Sequence, residues 1–161
     1  MGNDGTGKTT FQKEIIQYLC GLEEIQRLHV NKVFPITHPD APEDFKSLFA
    51  MNRSFQEKKD TYGSLEIFFT DHFKDADICF LSSHLVTADI QGMIDALHFR
   101  MYNVGAIFLG NVPEEENGPR SMLNWDERFW LDNPITEAWQ VQIRRLAIKF
   151  GDMVLHRAEF Q

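Results

Sequence analysis

A chain of 161 residues, 43% of them hydrophobic and 14 of them phenylalanine, is long enough to bury one sizeable core and short for two. Sixteen basic against 24 acidic side chains leave a net charge of −8, which argues against broad electrostatic binding to a nucleic-acid backbone or an anionic membrane surface. Cys20 and Cys79 are isolated, without metal-ligand spacing, and no apolar run approaches 18 residues, so a reduced, cytoplasmic protein that spans no membrane is expected.

Gly2-Asn3-Asp4-Gly5-Thr6-Gly7-Lys8-Thr9 satisfies the phosphate-loop pattern G-x-x-x-x-G-K-[ST] and runs straight into a helical pattern. In such a loop the glycines let backbone N–H groups curl around a phosphate, Lys8 reaches the β- and γ-phosphates, and the Thr9 hydroxyl ligates Mg²⁺. Gly2 through Thr10 are therefore the candidate residues for ATP and Mg²⁺, a pattern met by chance less than about one time in a hundred in a chain of this size. The competing reading is a glycine-rich segment without a ligand, since the motif belongs between a buried strand and a helix and no residues stand before it to make that strand. Gly2 to Gly7 are accordingly expected to be loosely held.

Phe11, Ile15, Ile16, Leu19 and Leu22 then recur at helical spacing, with Gly21 near the end. His29 to Ile36 reads as a strand ending in Phe34-Pro35, followed by the breaker-rich Thr37 to Pro42. From Glu43 to about Asp60, Phe45, Leu48, Phe49 and Phe55 suggest a helix, and Ser64 to Phe73 another. Asp77 to Leu81 reads as a strand buried on both faces, Ala88 to Met101 as a helix, and Val104 to Leu109 as a second apolar strand. Residues 111–134 hold few periodic positions and read as a lid-like segment carrying Arg120, Trp125, Asp126 and Arg128, or as a solvated loop. Ile135 to Phe150 looks helical and Met153 to Leu155 reads as a last short strand. Strands alternating with helices imply a single α/β domain with a mostly parallel, doubly wound sheet.

Four stretches together resemble the thymidylate kinases, which move the γ-phosphoryl of ATP onto thymidine monophosphate. The loop from Gly2 to Thr9 is similar to that family's G-x-[DE]-G-x-G-K-[ST], including the acid at Asp4. Phe34-Pro35 resembles the Phe-Pro that ends the second strand, and Leu48-Phe49-Ala50-Met51-Asn52-Arg53 resembles the L-F-[AS]-x-[DN]-R over the thymine pocket. Asp75 to Gly92 matches the following strand, loop and helix in spacing. The resemblance implies a P-loop NTPase-type three-layer α/β/α fold that binds ATP, Mg²⁺ and a nucleoside monophosphate, with a homodimer among the assemblies it allows. It makes Phe49 a stacking plane for the base, Arg53 a donor to a ring carbonyl, Asp4 a contact to the acceptor's sugar, and Phe34 part of the acceptor site. On a helix, Phe49 and Arg53 would share one face, four residues apart; a core Phe under a snorkelling Arg is the plainer alternative. Lys8, Arg120 and Arg128 are the candidate catalytic cations, with solubilising charge as the alternative for the two arginines.

The chain departs from that family where the strand Asp77 to Leu81 ends. The family's Asp-Arg falls on Leu81 and Ser82, so a carboxylate near the metal and a guanidinium for phosphate are both missing. The family's Arg after Phe-Pro is Thr37, beside His38, and its acid after the second lid Arg is Trp130. Binding with slow or absent transfer is the resulting expectation, and a regulatory nucleotide-binding protein or a kinase for a different acceptor are the alternatives. Ser82-Ser83-His84 lacks the surroundings of a nucleophile, because no G-x-S-x-G or other oxyanion-hole motif frames it.

Overall fold

A computed structural model describes residues 1, 7–25, 27–28, 31–51, 53–110, 112–131 and 138–158. It is a mixed α/β protein whose packing divides into two compact units.

The first unit holds helix α1 (Lys8–Cys20), strands β1 (Lys32–Pro35), β2 (Ser47–Met51) and β3 (Ile78–Leu81), and helix α6 (Trp139–Ala158). Phe11, Ile15, Ile16 and Leu19 fall on one face of α1 and are buried, as their spacing predicts. The strands form a sheet of order β1-β2-β3, antiparallel between β1 and β2 and parallel between β2 and β3. Asp77 sets the β2–β3 register: its carboxylate accepts from Lys46 N (2.9 Å), Ser47 N (2.8 Å) and Ser47 Oγ (2.7 Å). Desolvation pushes this carboxyl up, but the hydrogen bonds from Ser47 and Lys46 outweigh it and hold it below the usual range. The Phe150 ring of α6 packs edge-on against Phe11 (5.8 Å) and Phe80 (6.1 Å), joining both helices to the sheet.

The second unit holds a 3₁₀ turn (Gln56–Lys58) running into α2 (Lys59–Tyr62), then α3 (Leu65–Ile67) with a π-helical turn (Phe68–His72). Next come α4 (Thr87–Phe99), β4 (Gly105–Leu109), α5 (Glu114–Ser121) and β5 (Glu127–Leu131). Its core includes a chain of rings in contact, Phe55, Tyr62, Phe68, Phe69 and Phe73. The Arg100 guanidinium covers that chain, 5.0 Å from the Phe69 ring and donating to Phe69 O. β4 and β5 pair in parallel, with Phe108 opposite Trp130. The Met1 amino group donates to Ile107 O (2.7 Å).

Four expectations are corrected. The helix read over Glu43 to Asp60 is limited to its end, from Gln56 onward: Ser47–Met51 is a strand, because its apolar run is short enough to be buried between β1 and β3. Residues 111–134 are not irregular throughout, since α5 and β5 occupy much of the segment. The last strand, Met153 to Leu155, lies inside α6. Among the described residues the strands form two small sheets rather than one mostly parallel sheet.

Candidate functional site

The described end of the phosphate-loop pattern is the start of α1. Gly7 caps it in the left-handed conformation (φ 91°, ψ 3°), which a residue with a Cβ adopts only under strain. A Cβ would also come 2.6 Å from Ile143 Cδ1 of α6, so the tip of that side chain would have to move aside. Phe11 N donates to Gly7 O (2.9 Å), closing the first helical turn over Lys8, Thr9 and Thr10. Among the described residues no side-chain cap closes this end and no acid occupies the first turn. Thr9 is exposed and Lys8 and Thr10 are half-buried. Gly2, Asn3, Asp4, Gly5 and Thr6 lie outside the described residues, as does the expectation that they are loosely held.

This donor set fits a phosphate with its metal. A lysine, a helix N-terminus and a hydroxyl are the groups a phosphate needs, and Mg²⁺ takes one or two protein oxygens, completing its shell with phosphate and water. No three His, Cys, Asp or Glu side chains converge among the described residues, and the exposed Thr9 hydroxyl is one protein oxygen of the kind such a shell accepts. One turn further along α1, Gln12 is buried; its Nε2 donates to Met51 O (3.1 Å) and its Oε1 has no partner. Sequence reasoning passed over Gln12, although a glutamine between Phe11 and Ile15 on the apolar face was a visible signal.

The proposed acceptor residues are arranged differently from expectation. Phe34 is buried in β1, with Lys32 Nζ 4.8 Å from its ring centre. Phe49 is fully buried in β2, opposite Val33 and Cys79, so its ring serves the core. Arg53 belongs to the other unit, is more than half exposed, and stands 3.4 Å from Glu57 Oε1. With a strand in place of the helix, the shared face expected of Phe49 and Arg53 does not exist.

Where β3 ends, Leu81 is followed by the buried hydroxyls of Ser82 and Ser83. Ser83 Oγ donates to His84 O (2.8 Å) and accepts from Gln56 Nε2 (3.4 Å), while His84 N donates to Gln56 Oε1 (3.3 Å). Nearby, Ser54 and Glu57 form a capping box: Ser54 N donates to Glu57 Oε2 (2.8 Å) and Glu57 N to Ser54 Oγ (3.2 Å). That reciprocal pair starts the 3₁₀ turn, and the spacing Ser54-x-x-Glu57 was its signal in the sequence. Desolvation pushes the Glu57 carboxyl up, but the Ser54 hydrogen bonds and the charges of His84 and Arg53 outweigh it and hold it low.

Both arginines of the 111–134 segment are engaged with backbone. Arg120 donates to Leu85 O through Nε (3.1 Å) and Nη2 (2.6 Å), and to Glu116 O through Nη1. Arg128 donates through Nε to Ser121 O (2.6 Å), Nη2 to Leu123 O (2.8 Å) and Nη1 to Trp125 O (3.2 Å). These forks hold together the turn between α5 and β5 and tie α5 to the loop before α4. Comparison with protein-family models, curated proteins and solved structures gives no match to this chain.

Proposed function

We propose that this chain is a P-loop protein of the three-layer, thymidylate-kinase-like kind that binds ATP with Mg²⁺ and transfers its γ-phosphoryl to a nucleoside monophosphate slowly or not at all. The observation that carries the binding half is the left-handed Gly7 leading into the first turn at Lys8, Thr9 and Thr10, directly after Gly2 to Thr6 of the phosphate-loop pattern. Lys8 holds the β- and γ-phosphates, the first-turn N–H groups orient them, and Thr9 offers its hydroxyl to the metal. The bound nucleotide supplies the phosphoryl group, and the chain's contribution is position and charge neutralisation. The weak-transfer half rests on Leu81 and Ser82, which replace an acid and a guanidinium with an alkyl group and a buried hydroxyl.

No helix among the described residues is long and apolar enough to cross a membrane. The reading places the protein in the cytoplasm with small nucleotides as its ligands, as a monomer or a homodimer, the net charge of −8 leaving phosphate binding to the local cation Lys8. Titration calorimetry tests the binding half. Lys8→Ala is expected to weaken ATP·Mg²⁺ by more than about 1.4 kcal/mol, tenfold, because a charge-assisted phosphate contact is lost. Equal affinities for wild type and variant would remove the phosphate loop.

A further inference from the structure

The carboxyl ends of the parallel pair β4 and β5 border a cleft of about 630 Å³, lined by Gly110, Val112, Pro113, Glu114, Asn117 and Trp130. Open α/β sheets hold ligands at that edge of parallel strands. Trp130 offers a fixed aromatic plane: its indole stacks on the buried Phe108 ring (4.6 Å between centres, 20° between planes), yet the residue is 55% exposed. Asn117 offers a buried polar group. It is 1% exposed, and its Nδ2 donates to Leu109 O (3.4 Å) and Val112 O (3.3 Å). Two carbonyls can face only the amide nitrogen, so the amide's orientation is fixed and Oδ1 is the atom buried without a partner among the described residues.

Charge narrows the ligand further. Glu114, Glu115 and Glu116 fill the first turn of α5 beside the cleft, so an anion is repelled there and a hydrogen-bond donor is favoured. We propose that this cleft binds a neutral heteroaromatic ring bearing an amino group, of the aminopurine nucleoside kind. The ring stacks on Trp130 and its amino group donates to Asn117 Oδ1. Oδ1 is closed to water, so the exposed Glu114 side chain at the rim rotates to admit the ligand while the Trp130 ring stays stacked on Phe108, a motion exposed rotamers make in picoseconds to nanoseconds. The ligand differs from that of the phosphate loop, because a nucleoside carries no phosphate; the cleft's lining residues all belong to the second unit.

The test titrates the full chain with adenosine, inosine and adenosine monophosphate, read by calorimetry and by tryptophan emission. Adenosine is expected to bind at least about tenfold more tightly than inosine, which presents a carbonyl oxygen where the amino group should donate and leaves Oδ1 unpaired. Trp130→Ala, checked by its unfolding curve and placed at an exposed position, is expected to weaken adenosine at least about tenfold through lost stacking. Adenosine monophosphate is expected to bind more weakly than adenosine. Absence of adenosine binding, equal affinity for inosine, or an unchanged affinity in Trp130→Ala would overturn the proposal. A monophosphate that binds more tightly than adenosine and loses that affinity in Trp130→Ala would do so as well, by placing an anion in this cleft. Failure of the phosphate loop in the Lys8→Ala titration leaves each of these outcomes readable.

Discussion

Arg128 shows how one side chain can serve architecture where the sequence suggests chemistry. Its three guanidinium nitrogens each donate to a different carbonyl of the turn between α5 and β5, which only a planar fork can do at once. Arg128→Ala is expected to lower stability by about 1 to 2 kcal/mol in urea unfolding, less than a buried set of charged hydrogen bonds would give because the residue is exposed. Arg128→Lys should recover less than half of that, since an ammonium reaches one or two of the carbonyls. Unchanged stability in both variants would mean that the fork is dispensable.

Two carboxylates make a related statement about pH. Asp77 is held low by the Ser47 and Lys46 hydrogen bonds against desolvation, and Asp126 is held low first by the Val104 N–H (2.7 Å) and then by His98 (2.8 Å). Each folded pKa lies below the unfolded value of about 3.9. Their contribution to stability is therefore fully present above about pH 4 and is lost as pH falls through the folded values. Asp77→Ala should be less stable than wild type by a constant margin from pH 5 to 8, and the margin should shrink as the pH drops below about 4. A margin independent of pH down to acid unfolding would show that Asp77 acts through packing and not through its charge.

At the scale of elements, α6 depends on a glycine that reads as a helix breaker. Gly151 is where α6 meets α1 so closely that a Cβ would lie 2.6 Å from Tyr18 Cδ1 and 2.9 Å from Cε1. The Tyr18 ring has little room to retreat, because its hydroxyl donates to Asp152 and its face lies 4.6 Å from the His38 ring centre. Gly151→Ala gains about 1 kcal/mol of helix propensity but overpacks the contact, which costs about 1 to 3 kcal/mol. A net loss of stability in thermal unfolding is expected, and a net gain would show that the ring moves freely. The same residue explains why the sequence reading stopped this helix at Phe150 and made a strand of Met153 to Leu155: the signal for a close helix crossing is a small residue, which also signals an end. α5 was missed because Gly118 and Pro119 oppose a helix locally. It is held from outside instead, by Asn117 and Arg120 on neighbouring carbonyls. β2 was mistaken because four apolar residues fit either period, and only pairing with β3, some 30 residues away, decides. By contrast α1, β3, α4 and β4 were legible because their apolar patterns suffice, and the start of α1 at Lys8 falls where the glycine-rich pattern meets the helical one.

For the whole molecule, the question is whether the charges needed for phosphoryl transfer are at hand. Lys8 and Thr9 stand in the unit of α1, and Arg53, Arg120 and Arg128 in the other. Arg120 and Arg128 each engage three N–H groups with backbone carbonyls of Leu85 and Glu116, or of Ser121, Leu123 and Trp125, and swinging either guanidinium to a transferring phosphoryl group would break those bonds. The β3 end brings no acid at Leu81 and no cation at Ser82, and the Glu57 carboxylate near it is already held by Ser54. Cations that stabilise the transferring group are each worth about 10³ or more in rate. Turnover on thymidine monophosphate at saturating ATP and Mg²⁺ is therefore expected at least about 10³ below the ordinary kinase range of roughly 1 to 100 s⁻¹, even where ATP binds. A coupled assay reading turnover within that range would refute it. Arg120→Ala and Arg128→Ala would then identify the source of charge: an arginine acting on the phosphoryl group lowers the rate far more than its effect on stability explains, whereas one acting only as a backbone clamp changes the two together.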